Sequence, residues 1–420
     1  MNNKLQLQSR LVAMNFLQFA AWGAYLTSMN GYLSATGNPG IIGWFYSIQG
    51  IVSIFMPALM GIVADRWIRA ERLLSICHLL AGALMIAAGN YGLTAGEGMN
   101  AWTLFTLYSL SVAFYMPTLA LTNSVAFTAL TKAGLDTVKD FPPIRVFGTV
   151  GFICTMEAVD LLGFQHTAMQ FVVSGGISLL LGLYAPTLPT CPTSDSKESK
   201  SLVDALGLRA FALFKEKKMA IFFIFSFLLG LQLQISNGFA NAYISAFAKI
   251  EAFEETFGAN HANMLISLSQ ISETLCILLI PFVLGRFGIK RVMMIAMAGW
   301  VLRFGLFGTG DPGPGVWMFI VSCIVYGVAF DFFNISGALY VDKNTDASIT
   351  SSAQGLFMLM TNGLGATFGS LAAQAVVDKY VNSQTDPLLV VEGWHTSWFI
   401  FAGYALVVLV LFTLIFKEKN

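Results

Sequence analysis

The side chains in this 420-residue chain that most need a chemical explanation are charged and amide groups set inside long apolar runs. Glu157, Glu273, Arg303 and Asp331 lie well within such runs, and Arg145 and Asp160 lie nearer the ends of theirs. An ionisable group in hydrocarbon is costly, so each requires a partner, a water-filled cavity or a functional role. Asp331 is about 15 residues into its run, roughly 22 Å along a helix and just past the middle of a ~30 Å bilayer core. Glu273 is about 12 residues into its own run, at similar depth. A carboxyl group at mid-membrane can hold a proton when dry and give it up when its surroundings change, which is the chemistry of proton coupling.

Helical spacing groups further polar residues with these two. Residues three, four or seven apart share a helix face. Gln234 and Asn237 form one such pair, Gln270 and Glu273 a second, and Tyr326 and Phe330 a third, while Arg145, Thr149 and Phe152 follow at i, i+4 and i+7. Amides, carboxylates and aromatic rings together suit a neutral, flat, hydrogen-bonding solute. Each group also has a plain structural use. Gln234 and Asn237 could bridge helices without touching a ligand. Arg145 sits about three residues from the start of its apolar run, about 5 Å, which is close enough to snorkel to the interface. With 36 Phe in the chain, Phe152, Phe330 and Tyr326 could be packing residues. Spacing assigns no role to Glu157 or Arg303.

The elements that must position these residues follow from composition. Hydrophobic residues make up 56% of the chain and charged residues 11%, a balance outside the range of soluble proteins. Twelve crossings of about 20 residues each would use most of that apolar content. Apolar segments occur near 10–33, 41–64, 73–93, 101–130, 142–164 and 168–188, and again near 219–248, 262–285, 290–309, 316–341, 348–377 and 395–416. The Pro142 and Pro143 pair should open the fifth span. The expected fold is therefore an all-α membrane protein of twelve transmembrane helices in two six-helix bundles, 1–188 and 219–420, joined by a polar linker at 189–218. Of the 23 Lys and Arg, nineteen fall on one side of this map and two on the other, which places both termini and the linker in the cytoplasm. The basic N-terminus followed by an apolar run resembles a signal peptide but reads better as an uncleaved first span.

Several function classes are excluded. With 23 acidic against 23 basic residues there is no bulk charge to draw nucleic acid. The five cysteines are scattered without CxxC spacing, and the four histidines fall on separate segments, so no metal, cofactor or nucleophile-and-base arrangement is indicated. The chain is not expected to be an enzyme.

Twelve spans with a central linker resemble the major facilitator superfamily, in which two bundles rock about a midplane site. The stretch Gly61-Ile62-Val63-Ala64-Asp65-Arg66 is similar to that superfamily's loop signature, with a degenerate second copy from Gly285 to Arg291. Asp65 and Arg66 could act as a charge latch at the inner gate or serve only the positive-inside topology. More specific are Tyr115-Met116-Pro117-Thr118-Leu119, Asp140-Phe141-Pro142-Pro143-Ile144-Arg145, Ser269-Gln270-Ile271-Ser272-Glu273-Thr274 and Ala329-Phe330-Asp331-Phe332-Phe333-Asn334-Ile335-Ser336-Gly337. In these the chain resembles the bacterial nucleoside:proton symporters of that superfamily, in register over nearly its whole length. The resemblance implies nucleoside binding by Arg145, Thr149, Phe152, Gln234, Asn237, Gln270, Glu273, Tyr326 and Phe330, and proton coupling by Asp331 with Glu273. It further implies a multi-pass protein of the bacterial inner membrane, monomeric, with the proton as coupling ion and nucleosides such as uridine, adenosine and cytidine as substrates. Glu157 and Asp160 are acidic residues outside the family motif.

Overall fold

The computed structural model describes residues 2–191, 208–345 and 350–416. Most of the linker lies outside the described residues, as do the side chains of Asp65 and Arg66, and with them the charge latch. Helices make up nearly all of the described structure, and ten stretches among them are long and apolar enough to cross a bilayer. The other two crossings of the expected twelve are the first and the fifth, helices Asn2–Gly23 and Thr137–Leu161. Both carry a more polar sequence than the rest, with polar or charged residues in their opening turns.

Local sequence explains where the helices start and stop. Asn100 caps Ala101–Lys132 by accepting from the amides of Trp102 and Thr103. Asp386 does the same for Pro387–Ile415, with Pro387 at the first helical position. Past Lys132, Gly134 takes φ +68° while Leu135 N donates back to Leu130 O at 3.0 Å, a left-handed C-cap that needs glycine. The eighth and ninth spans run as one helix, Ala262–Thr309, broken at Gly288 with φ 75° and ψ 167°.

Three elements depart from the sequence expectation. The first span does not run unbroken to residue 33. Asn2–Gly23 ends in a turn and resumes as Met29–Ala35. The fifth helix begins at Thr137, so Pro142 and Pro143 lie in its second turn rather than opening it. The eleventh span is α-helical over Thr350–Met358 and Ala366–Val377 but widens to π-helix over Leu359–Gly365. Gly230 of the seventh span lies against the backbone of Thr361 there, and a Cβ on Gly365 would meet Gly230 Cα at 2.7 Å. The wider turns coincide with this backbone-to-backbone approach.

By contacts the chain forms two compact units, Met1–Gly37 with Ile51–Leu206, and Asn38–Gly50 with Gly207–Asn420. In the first unit the third span, Ala70–Ala95, packs on the sixth, Met169–Tyr184, through small residues. A Cβ on Gly82 would meet Gly175 O at 2.8 Å, and one on Gly175 would meet Gly82 O at 2.7 Å. Close backbone approach of this kind drives helix association where lipid supplies no hydrophobic force. The same unit buries a polar network. Gln18 Nε2 donates to Thr118 Oγ1 at 2.7 Å, and Gln18 Oε1 accepts from Thr122 Oγ1 at 2.9 Å. His78 bridges Gln18 Oε1 at 2.7 Å and Ser178 Oγ at 2.8 Å.

In the second unit the core is aromatic. Tyr243 donates to Phe307 O at 2.7 Å, and the Phe307 and Trp398 rings lie 4.8 Å apart. Residues 38–50 join this unit through the eleventh span: Gly43 N donates to Gln374 Oε1 at 2.7 Å, and Gln374 Nε2 donates to Pro39 O at 3.0 Å.

Adjacent glycines on the sixth span give a matched test of the packing. Gly175 faces the third span, whereas a Cβ on Gly176 would meet nothing within 4 Å. Gly175→Val should lower the thermal midpoint of the detergent-purified protein markedly and Gly176→Val should not. Equal midpoints for the two variants would contradict this packing.

Candidate functional site

Seven of the ten residues singled out in the sequence belong to the second unit, and the structure brings four of them together. Asp331 on the tenth span, Val316–Asn344, is 5% exposed. Glu273 of the eighth span interacts electrostatically with it, and both carboxylates act in the same way on Tyr326. Tyr326 and Phe330 stack nearly parallel, with centroids 5.8 Å apart and 17° between planes. One carboxylate oxygen of Asp331, Oδ2, is buried without a hydrogen-bond partner. Such a group is unusual, because an orphaned buried acceptor forfeits its hydration with nothing in return.

Gln234 and Asn237 are half-buried on the seventh span, Lys217–Ala246. Gln234 Oε1 is buried and unpartnered, an acceptor that no helix bridge uses. Gln270 is half-buried on the eighth span, next to Ser269. Beside Phe330, a cavity of about 20 Å³ is lined by Trp300, Asn334, Thr361 and Asn362. That is room for a single water with polar partners.

The remaining three residues belong to the first unit. Arg145 does not extend to the helix end. Its guanidinium carbon lies 3.8 Å from the Phe19 ring centroid, a cation–π contact inside the unit. Phe152 is buried and stands edge-on to Trp22, with centroids 6.3 Å apart at 86°. Thr149 is half-buried on the same helix.

Other residues take part that spacing alone did not find. Trp22 touches Phe19, Tyr115 and Phe152, so it joins the aromatic groups of the first, fourth and fifth spans. The Tyr115 hydroxyl donates to Gln18 O at 2.6 Å, which ties this cluster to the buried polar network. Phe19 and Trp22 are three residues apart and so share a face, the signal by which they could have been found. Arg303 also acquires defined surroundings. It is 2% exposed on the ninth span, and its partners are the hydroxyls of Ser236 and Ser269 and the carbonyl of Ser322 rather than a carboxylate.

A carboxyl, amide and aromatic cluster in the second unit and a guanidinium and aromatic cluster in the first, within a twelve-span architecture, suit a solute transporter, and comparison with known proteins narrows the class. Residues 5–420 match the family described as nucleoside H+ symporter. The chain belongs to this family. It is 46% identical to the nucleoside permease NupG of Escherichia coli strain K12, over 100% of this chain and 97% of that protein. The xanthosine permease of the same strain is also 46% identical, over 99% of this chain and 97% of its own length. A crystal structure of the nucleoside transporter NupG superposes with a TM-score of 0.89 at 44% identity, covering 98% of this chain and all of that one. The E. coli xylose transporter XylE, at 12% identity and a TM-score of 0.60 over 99% of both chains, shares the fold. This family member is a multi-spanning membrane transporter and not an enzyme.

The aromatic cluster of the first unit yields a stability test. Trp22→Ala removes three ring contacts inside the unit, and because the indole is half-buried its truncation costs less than the ~3 kcal/mol of a fully buried aromatic. Trp102, 56% exposed, serves as the control. Trp22→Ala should unfold at a clearly lower temperature than Trp102→Ala, and the reverse order would contradict the cluster.

Proposed function

We propose that the protein imports nucleosides together with protons across the bacterial inner membrane by alternating access, with Asp331 carrying the coupled proton. The observation that carries this reading is the buried, unpartnered Oδ2 of Asp331 beside Glu273 and the Tyr326–Phe330 stack. A carboxyl oxygen kept from every internal donor is available to a proton. Placed next to a second carboxylate, it changes the charge of the site when the proton binds or leaves.

In this mechanism a proton entering from outside neutralises Asp331 and lowers the cost of closing the site around an uncharged solute. Nucleoside and proton then leave together on the inner side, and the empty carrier returns, as in other transporters built from two repeats. Gln234, Asn237, Gln270 and Glu273 supply donors and acceptors for ribose hydroxyls and the base edge. The free acceptor of Gln234 supports that assignment. Phe330 and Phe152 offer apolar faces to the base, with Tyr326 backing Phe330 through the stack and Trp22 bracing Phe152. Arg145 and Thr149 complete the set on the fifth span.

The substrates are nucleosides such as uridine, adenosine and cytidine, in keeping with relatives named for nucleoside and xanthosine transport. The proton is the only coupling ion, no cofactor is needed, and both termini lie in the cytoplasm. A monomer is sufficient for the mechanism.

Uptake of labelled uridine into proteoliposomes under an inward proton gradient tests the role of Asp331. Asp331→Asn should abolish accumulation above equilibrium while leaving uridine counterflow measurable, and full proton-driven accumulation in that variant would refute the assignment. Glu273→Gln keeps a hydrogen-bonding group but loses its charge. Losing a charge-assisted hydrogen bond predicts an increase in the KM for uridine on the order of 10-fold. An unchanged KM would remove Glu273 from the binding site.

A further inference from the structure

The ninth span contributes none of the residues assigned above to nucleoside binding, yet among the described residues it carries the most deeply buried cation of the second unit. Arg303 Nε and Nη2 donate to Ser236 Oγ at 2.8 and 2.7 Å. Its Nη1 donates to Ser322 O at 2.7 Å and to Ser269 Oγ at 3.4 Å. Ser322 Oγ returns a hydrogen bond to Arg303 O at 2.9 Å. The guanidinium carbon also lies 4.7 Å from the Tyr326 ring centroid and 5.0 Å from that of Phe307.

The three serines occupy particular places in the sequence. Ser236 directly precedes Asn237 and lies two residues after Gln234 on the seventh span. Ser269 directly precedes Gln270 and is one turn before Glu273 on the eighth. Ser322 is one turn before Tyr326 on the tenth, and Tyr326 in turn stacks on Phe330. Every residue of the second unit proposed to meet the nucleoside thus follows an anchor held by this one guanidinium, lies within two residues of it, or stacks on a ring the guanidinium faces. Asp331 follows Phe330 in the chain and keeps the same frame. Trp300, one turn before Arg303, adds an edge-on contact to Tyr326 with centroids 5.9 Å apart at 88°.

We infer that Arg303 is the positioning residue of the nucleoside site, fixing the relative height and rotation of the seventh, eighth and tenth spans through its hydrogen bonds to Ser236, Ser269 and Ser322. This inference rests on the nucleoside-binding reading above. The chemistry requires arginine in particular. A planar guanidinium presents five donors in a rigid fork and offers its faces to aromatic rings at the same time. It can therefore hold two hydroxyls and a carbonyl from three helices while lying over Tyr326. A lysine ammonium is a point charge on a flexible stem and cannot reach all three partners in one geometry. Binding geometry tolerates little slack, because a donor displaced by about 1 Å no longer makes a good hydrogen bond with the solute.

A residue that only holds the bundle together would affect folding, whereas a positioning residue affects affinity in protein that is folded. Arg303→Lys, Ser236→Ala and Ser269→Ala would be purified and checked for a single monodisperse species. Uridine Kd would then be measured by calorimetry, and KM and kcat by proteoliposome uptake. Arg303→Lys should weaken uridine binding at least about 10-fold, with KM rising more than kcat falls, and each serine variant should weaken it about 3-fold or more. A folded Arg303→Lys protein with Kd within about twofold of wild type overturns the inference. If that variant is not recovered folded, the two serine variants decide by the same criterion. Wild-type protein that binds no nucleoside overturns both this inference and the proposed function. Normal wild-type binding with unchanged variants overturns this one alone.

Discussion

Inside a bilayer a polar group finds no water, and much of the structure is organised around satisfying such groups from within the protein. Backbone groups are met by the helices themselves. Side chains are met by networks that cross several helices: Gln18 and His78 in the first unit, Arg303 in the second. Among the buried side-chain atoms left without a partner in the described residues, Oδ2 of Asp331 is the one carboxylate oxygen. A fold that supplies partners to a buried arginine and a buried histidine leaves this acid incompletely paired.

The two polar networks have the same design. In the first unit Gln18 receives hydrogen bonds from His78 and Thr122 and through its carbonyl fixes Tyr115, which packs on Trp22 and so reaches Phe152. In the second unit Arg303 fixes three serines and faces Tyr326, which stacks on Phe330. Each unit uses buried hydrogen bonds to place a tyrosine ring, which reaches the phenylalanine assigned to the base directly in the second unit and through Trp22 in the first. Aromatic rings have few rotatable bonds and carry a large contact area, so a braced ring meets the solute with little further loss of entropy.

Much of this was legible in the sequence. Hydropathy gave the span positions to within a few residues for most helices, because a crossing of ~30 Å sets the length of each apolar run. Asp331 and Glu273 were legible as two costly acids at similar depth in the same half of the chain, but not as neighbours, since depth along a helix does not show which way a side chain faces. What was hidden depended on partners distant in the chain. The π-helical turns at 359–365 coincide with the approach of Gly230 to Thr361, and nothing local to 359–365 signals that approach. Arg303 could be recognised as anomalous but not paired, since its partners are two ordinary serine hydroxyls and a backbone carbonyl. The break after Gly23 was equally silent, because Ala24 to Ser28 is as apolar as its surroundings. The prolines at 142 and 143 misled by marking a helix start five residues late, since the second turn of Thr137–Leu161 accommodates them.

The central claim is that nucleoside and proton cross together, and the most direct test follows the proton. Proteoliposomes loaded with a pH-sensitive dye and held without an imposed pH gradient would receive an outward-to-inward gradient of uridine alone. The account predicts acidification of the lumen driven by uridine, which is absent when Asp331→Asn protein is reconstituted. Uridine entry by wild-type protein with no movement of protons would contradict it.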